Sequence, residues 1–374
     1  MKIRTLYFLI FAAACCSCTS LYRDNYTKPN LVDDRPTRST KKLHRQLHFM
    51  SDAGFAIGHQ DATSYGIGWK QTEKPKLMRS DVYDIAEDYP AVYGFDIGGI
   101  ENGSPLNLDS VPFDMMRDLM IQAHKHGGII TISWHADNPV TGDDSWDQTP
   151  AVADILNKGE VSEKFDLWLD RVAAFLKTIK YQGKRIPIIF RPYHEMNGSW
   201  FWWGDPHVST EDYVKLWKYT VTRLRDKHRL HNLLYTYSPN KLNPEDYYMK
   251  FYPGDDYVDI LGIDIYDFND STGYVTSIVN DLALVKQLAA NRNKLYAFTE
   301  TGFEKIPDAL WFTNRLYPAI KDSGIAWVLF WRNYRKSHHY MPYKGHVAEQ
   351  DFIRFRDLPQ TLFLKDIDPK KQRK

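Results

Sequence analysis

An α/β chain closing into a (β/α)8 TIM barrel, in one domain, is the fold class the sequence predicts. Three observations predict it. Eight short apolar runs rich in β-branched residues alternate with stretches whose apolar residues recur at three-to-four spacing. No glycine-rich nucleotide turn follows an early run: Gly94-Phe95-Asp96-Ile97-Gly98-Gly99 is not G-x-G-x-x-G, and no G-x-x-x-x-G-K-[ST] occurs. The 374 residues contain no internal repeat, no low-complexity segment and no second-domain boundary, and a single large barrel of this length is ordinary.

The chain begins with Met1-Lys2-Ile3-Arg4 and an apolar run from Leu6 to Ala14, a basic start and a core too short to span a membrane. Cys15, Cys16 and Cys18 follow and are the only cysteines, so the body of the chain forms no disulfide. Residues 1–18 are expected to be a lipoprotein-type signal peptide, with Cys18, after Ser17, favoured over Cys16 as the lipidated residue. The expected place is the bacterial cell envelope, periplasmic or at the cell surface. Residues 19–38 are polar, contain Pro29 and Pro36, and read as a tether. The catalytic barrel is expected over residues 39–365, with a basic, solvated tail at 366–374.

Within it the expected strands are Phe55–Gln60, Val92–Gly98, Gly128–His135, Ile186–Glu195, Asn232–Pro239, Val258–Tyr266, Lys294–Gly302 and Ile325–Asn333. One helix face runs through Phe165, Trp168, Leu169, Val172, Leu176 and Ile179, and another through Leu216, Trp217, Val221 and Leu224. Further helices are expected over Met78–Glu87, Val111–Lys125, Val275–Ala290 and Pro307–Lys321.

Lys and Arg total 48 and Asp and Glu 47, a balance that gives no electrostatic reason to expect nucleic acid or an anionic surface as partner. In a barrel of this type the functional groups gather at the C-terminal strand ends. Those ends carry His59-Gln60-Asp61, Asp96, Ser133-Trp134-His135, Arg191 with His194-Glu195, Asp264-Ile265-Tyr266, Thr299-Glu300-Thr301 and Trp331-Arg332-Asn333. A single polar residue at a strand end is usually a cap or an ion-pair partner. Seven such ends out of eight are harder to explain by structure alone.

Glu195 and Glu300 end the fourth and seventh expected strands, which face each other across the mouth. Two carboxyl groups so placed can cleave a glycosidic bond, one protonating the leaving oxygen and the other attacking carbon or activating water. A gap of about 5–5.5 Å would mean retention of configuration, and about 6.5–9.5 Å inversion. The acid must hold its proton near neutral pH. Trp200, Phe201, Trp202 and Trp203 after Glu195 offer an apolar setting that disfavours its charge. Glu300 sits between Thr299 and Thr301, which can donate hydrogen bonds to an anion, as can Arg191. A metal site is not expected: His194-Glu195 begins like H-E-x-x-H, but Ser199 stands near the place of the second histidine and Pro192 opposes a helix. No G-x-S-x-G elbow suggests a serine nucleophile.

The run Arg191-Pro192-Tyr193-His194-Glu195-Met196-Asn197-Gly198-Ser199-Trp200-Phe201-Trp202-Trp203-Gly204 resembles the acid/base motif of glycoside hydrolase family 26, and the likeness extends from about His44 to about Phe355. The resemblance implies a retaining enzyme on a barrel with carboxylates on strands four and seven, mostly a β-1,4-mannanase. It implies Glu195 as acid/base and Glu300, in Phe298-Thr299-Glu300-Thr301-Gly302, as nucleophile. His194, Trp200 and Tyr266 would line the subsite of the sugar under attack, the tyrosine steadying the nucleophile. His135 would add a sugar contact, Trp331 a stacking surface and Arg332 a donor further out. Asp264 would be a sugar contact or an anchor. The expected substrate is β-mannan, glucomannan, galactomannan or their oligosaccharides, with no cofactor, no nucleic-acid partner and a monomeric state. Family relatives acting on mixed-linkage β-glucan or β-1,3-xylan leave those substrates open, as they leave a glycan-binding lipoprotein without chemistry. Attack within the chain and release of mannobiose from its end also both stay open, with Ala136–Thr149 and Asp267–Tyr274 as the segments able to wall off the cleft.

Overall fold

The computed structural model describes residues 30–71, 79–242 and 247–367. The signal peptide, the tether up to residue 29, the expected helix start at Met78 and the tail from residue 368 lie outside the described residues.

Eight parallel strands form a closed barrel. They are β1 (Phe55–Gln60), β2 (Val92–Asp96), β3 (Ile129–Trp134), β4 (Ile188–Pro192), β5 (Leu233–Tyr237), β6 (Ile260–Asp267), β7 (Leu295–Phe303) and β8 (Trp327–Phe330). Each pairs with the next in sequence, and β8 closes the ring on β1 with Ala56 opposite Trp327 and His59 opposite Phe330. Alternation along the strands separates two cores. Ala56, Val92, Ile129, Ile189, Leu234, Ile260, Ala297 and Leu329 fill the barrel interior. Ile57, Phe95, Ile132, Phe190, Ile263 and Phe298 face the surrounding helices.

Helix α1 (Arg38–Ala53) precedes the barrel and is started by Thr37, whose hydroxyl accepts from Thr40 N. Its Leu43, Leu47 and Met50 pack into the interior core and plug the N-terminal mouth. The ring continues with α2 (Asp81–Ala86), α3 (Phe113–Lys125), α4 (Val152–Leu156), α5 (Glu160–Thr178), α6 (Thr210–Thr222), α7 (Ser271–Arg292), α8 (Tyr317–Ile320) and α9 (Glu349–Arg356). No helix among the described residues is long and apolar enough to cross a membrane.

Several boundaries differ from expectation. The segment expected as Pro307–Lys321 is a wide turn at Phe312–Leu316 followed by the short α8. Helix α7 starts four residues earlier than its apolar periodicity suggested, because Asp270 caps it by accepting from Gly273 N. Part of the expected tether is packed: Val32 is buried and its N–H bonds Asp259 Oδ1 at 2.8 Å, while Asp33 accepts from His231 Nδ1 at 2.8 Å. At the other end Ile367 is buried in the interior core rather than solvated.

Candidate active site

Strand β4 does not reach Glu195; it ends at Pro192. Tyr193 and Glu195 then adopt left-handed backbone, with φ of 48° and 55°, and swing the chain across the mouth. The turn is held from behind. Glu195 N donates to Ser238 O at 2.8 Å, just past β5, and Asn197 exchanges hydrogen bonds with the Asn240 backbone. Of the three tryptophans that follow, two face inward. Trp202 and Trp203 are fully buried, and their indole N–H groups donate to Ala136 O and His194 O. Only Trp200 reaches the cavity, where its Nε1 donates to Glu195 Oε2 at 2.8 Å. Gly198 lies flat under that ring: a Cβ there would come within 2.2 Å of it.

Glu300 lies inside β7, and a β-bulge aims it. Ile263 pairs with Phe298, but the next residue, Asp264, pairs with Glu300, so Thr299 is an extra residue in β7. Both Thr299 and Glu300 therefore face the interior. The expected threonine donors serve other acceptors: Thr299 Oγ1 bonds Asp264 Oδ1 at 2.6 Å, and Thr301 pairs with Tyr274 on the helix side. Glu300 instead receives Tyr266 OH on Oε2 at 2.8 Å and the Arg191 guanidinium on Oε1.

Arg191 is the centre of the arrangement. Its Nη1 donates to Asp264 Oδ2 at 2.8 Å and to Ser238 Oγ at 3.1 Å, and its Nη2 to Glu300. Glu195, Asp264 and Glu300 each bring an oxygen within 4.8 Å of the others, the one group among the described residues with the spacing of metal ligands. Arg191 bonds two of the three, Asp264 and Glu300. Burial first, then the charges of Asp264 and Glu300, hold the Glu195 carboxyl well above the ordinary range. Burial pushes Asp264 up to about 8, offset only in part by Arg191.

His194 and His135 meet edge to face on the cavity wall, 4.6 Å between ring centres. Burial, with Arg191 and His135 nearby, lowers His194 well below its ordinary value, so it is neutral. Burial works against charge on His135 too, but Asp96 outweighs it and raises its pKa. Asp96 Oδ2 accepts from His135 Nδ1 at 2.7 Å and from Ser133 Oγ at 2.6 Å, and Oδ1 accepts from Gly98 N at 2.7 Å. This leaves His135 Nε2 for the cavity.

The cavity measures about 510 Å³. Glu195, Glu300, His135, His194, Trp200, Tyr266 and Trp331 line it, as the sequence suggested. Arg191, Asp264 and Arg332 do not; they stand behind its wall. The Arg332 guanidinium, expected as a donor to sugar, is engaged by Asp109, whose other oxygen receives Tyr65 OH at 3.3 Å. Trp146, Asn197, Asn240, Lys241, Phe268 and Tyr340 line the cavity without having been singled out. Trp146 stacks on His135, 5.3 Å away and 18° from parallel. Its loop is shaped by Asn138, whose amide donates to Asp147 O and Thr149 O and accepts from Val140 N. An asparagine opening a loop that contains an isolated tryptophan was the available signal.

Comparison with known proteins agrees with this architecture. Residues 32–334 match the profile of Glycosyl hydrolase family 26. A mannan endo-1,4-β-mannosidase of Bifidobacterium adolescentis is 34% identical over 367 residues, covering 90% of this chain. One of Bacillus subtilis is 36% identical over 230 residues, covering 57% of this chain. The chain spans only 36% and 58% of the length of those two relatives. Among solved structures, a GH26 β-mannanase from Bacteroides ovatus superposes with a TM-score of 0.84 at 41% identity, over 88% of this chain and 96% of that one.

Proposed function

The chain belongs to glycosyl hydrolase family 26, and on that premise we propose that it hydrolyses β-1,4-mannosidic linkages with retention of configuration. The observation that carries the mechanism is the approach of Glu195 and Glu300, with an oxygen of each within 4.8 Å. That approach is closer than the about 6.5–9.5 Å of an inverting site and suits direct attack, for which about 5–5.5 Å is usual.

In the first step a Glu300 oxygen attacks the anomeric carbon and forms a glycosyl ester. The bond to the leaving oxygen breaks, and that oxygen takes the proton of Glu195. In the second step Glu195, now a carboxylate, takes a proton from water as the water oxygen attacks the same carbon, and Glu300 departs as the carboxylate. Arg191 and Tyr266 orient Glu300 before attack. Neutral His194 and the Asp96-held His135 offer polar contacts to the ring hydroxyls, and Trp331 an apolar face for the C–H side of a pyranose. A place in the bacterial envelope, with a lipid on Cys18, accords with the amino-terminal signal pattern.

The test is turnover of β-1,4-manno-oligosaccharides by Glu195→Ala and Glu300→Ala. Each should lose at least a thousandfold in kcat, and azide should rescue Glu300→Ala by forming an α-mannosyl azide. Near wild-type turnover in either variant refutes the assignment. A polysaccharide panel in which β-glucan or xylan outruns mannan refutes the substrate.

A further inference from the structure

We propose that Phe268 is a stacking platform for the departing part of the sugar chain, and so sets the enzyme's preference for long over short leaving groups. The inference rests on the proposed roles of Glu195 and Glu300. The departing chain lies beside the acid, because the acid must reach the oxygen that leaves. The ground around Glu195 belongs to the loops after β4, β5 and β6. Glu195 N is bonded to Ser238 O past β5, and Asn197 is tied to Asn240, so the first two loops are fastened to each other. From these loops Asn197, Trp200, Asn240, Lys241 and Phe268 line the cavity.

Phe268 is 83% exposed, the largest exposure among the large hydrophobic side chains described. An apolar ring held in water invites explanation when it borders a functional cavity. Its exposure is built rather than frayed. Only Phe268, Asn269 and Asp270 separate β6 from α7, and both ends of this link are fastened. Asp267 Oδ2 accepts from Trp311 Nε1 at 3.0 Å and from Ser271 Oγ at 2.6 Å. Asp270 caps α7 through Gly273 N at 3.0 Å. Asn269 takes φ of 66°, which closes the link in so few residues. The ring lies 6.2 Å from that of Tyr266, inclined by 37°, and Tyr266 in turn bonds Glu300, so the two rings neighbour each other on the cavity wall. A segment this short cannot wall off the cleft, and a single ring standing at its edge suits a pyranose passing over it with its C–H face down.

The experiment compares kcat/KM for a β-1,4-manno-oligosaccharide with that for an aryl β-mannobioside, whose leaving group carries no sugar. In Phe268→Ala the ratio of the first to the second should fall about five- to tenfold, the value of one aromatic contact. Phe268→Trp should restore it. Added manno-oligosaccharide, competing with water for the glycosyl-enzyme, should give fewer transfer products with Phe268→Ala than with wild type. A ratio that moves less than twofold, or one that Phe268→Trp leaves as low as alanine does, overturns the platform. If wild type cleaves neither substrate, the proposed function itself falls, a result distinct from equal cleavage of both by wild type and variant.

Discussion

Replacing Asp96 by Asn should expose how the pKa of His135 is held up. The two side chains are buried, 1% and 5% exposed, and joined by a 2.7 Å hydrogen bond. Burial and three charged groups act on the imidazole: burial and Arg191 lower its pKa, while Asp96 and Glu300 raise it, and the net shift is upward. Without the aspartate charge burial prevails, and His135 should drop below 6.5 as its neighbour His194 does. Asparagine also turns an N–H₂ group toward Ser133 Oγ or Gly98 N, both donors in the wild type. The lost bond to a charged partner is worth about 1.5–3 kcal/mol, and a buried donor left unpaired costs about 1–3 kcal/mol more.

The two parts separate by pH. A histidine whose folded pKa is raised contributes stability that is complete below its unfolded value near 6.5 and is lost as pH rises through the folded value. The mismatch of the asparagine amide does not titrate. The melting temperature of Asp96→Asn should therefore lie below wild type at every pH, with the gap larger at pH 5.5 than at pH 9. At roughly 1–2 °C per kcal/mol for a chain of this length, the pH-dependent part is about 2–5 °C. Calorimetry at the two pH values measures it. In parallel, kcat/KM on a manno-oligosaccharide should fall about ten- to a hundredfold, since Nε2 is no longer fixed toward the cavity. A gap of the same size at pH 5.5 and pH 9 would refute the charged pair.

Two further outcomes follow from the acid. Because Glu195 is held well above the ordinary carboxylate range, first by burial and then by Asp264 and Glu300, the alkaline limb of kcat/KM should lie at higher pH than an ordinary carboxyl would set. In Glu195→Gln, a dinitrophenyl β-mannobioside, whose leaving group needs no proton, should still form the glycosyl-enzyme, with that alkaline limb gone; a limb that survives assigns it to another group. In Gly198→Ala the new methyl would meet the Trp200 ring at 2.2 Å, displacing the indole and its 2.8 Å bond to Glu195. About a tenfold loss of kcat/KM is expected, with a shift in tryptophan emission and little change in melting temperature; activity within twofold of wild type contradicts it.

The barrel was legible because its strands are short and apolar and its helices amphipathic, two periodicities that survive without tertiary knowledge. The two glutamates were legible because each closes such a run. What escaped depends on registers and partners that periodicity does not encode. Thr299 looks like a flanking donor to Glu300, yet it is the inserted residue of a bulge and donates to Asp264. Trp202 and Trp203 look like a binding shelf beside Trp200, yet they bury themselves to fasten the loop to Ala136 and His194. Arg332 carries a charge at a strand end, but whether a charge faces substrate depends on a distant carboxylate, here Asp109, more than two hundred residues away. Residues 31–37 read as linker because they are polar, while their N–H groups and carboxylates meet Asp259 and His231.

The bulge in β7 also explains how two glutamates of the same chemistry come to differ. With a regular β7, the two-residue period would turn Glu300 toward the helices once Thr299 faced inward. The extra residue brings Glu300 back inside, beside Asp264 and within reach of Arg191 and Tyr266. A cationic donor and a hydroxyl then fix its two oxygens. Glu195, carried over the mouth by two left-handed residues, accepts from the neutral indole of Trp200, and burial with the charges of Asp264 and Glu300 outweighs the opposing charge of Arg191. The Glu195 carboxyl is therefore held well above the ordinary range, as an acid that must keep its proton requires. The difference between the proposed acid and the proposed nucleophile thus rests on one inserted residue and the arginine it brings within reach, and neither glutamate's immediate neighbours in the chain account for it.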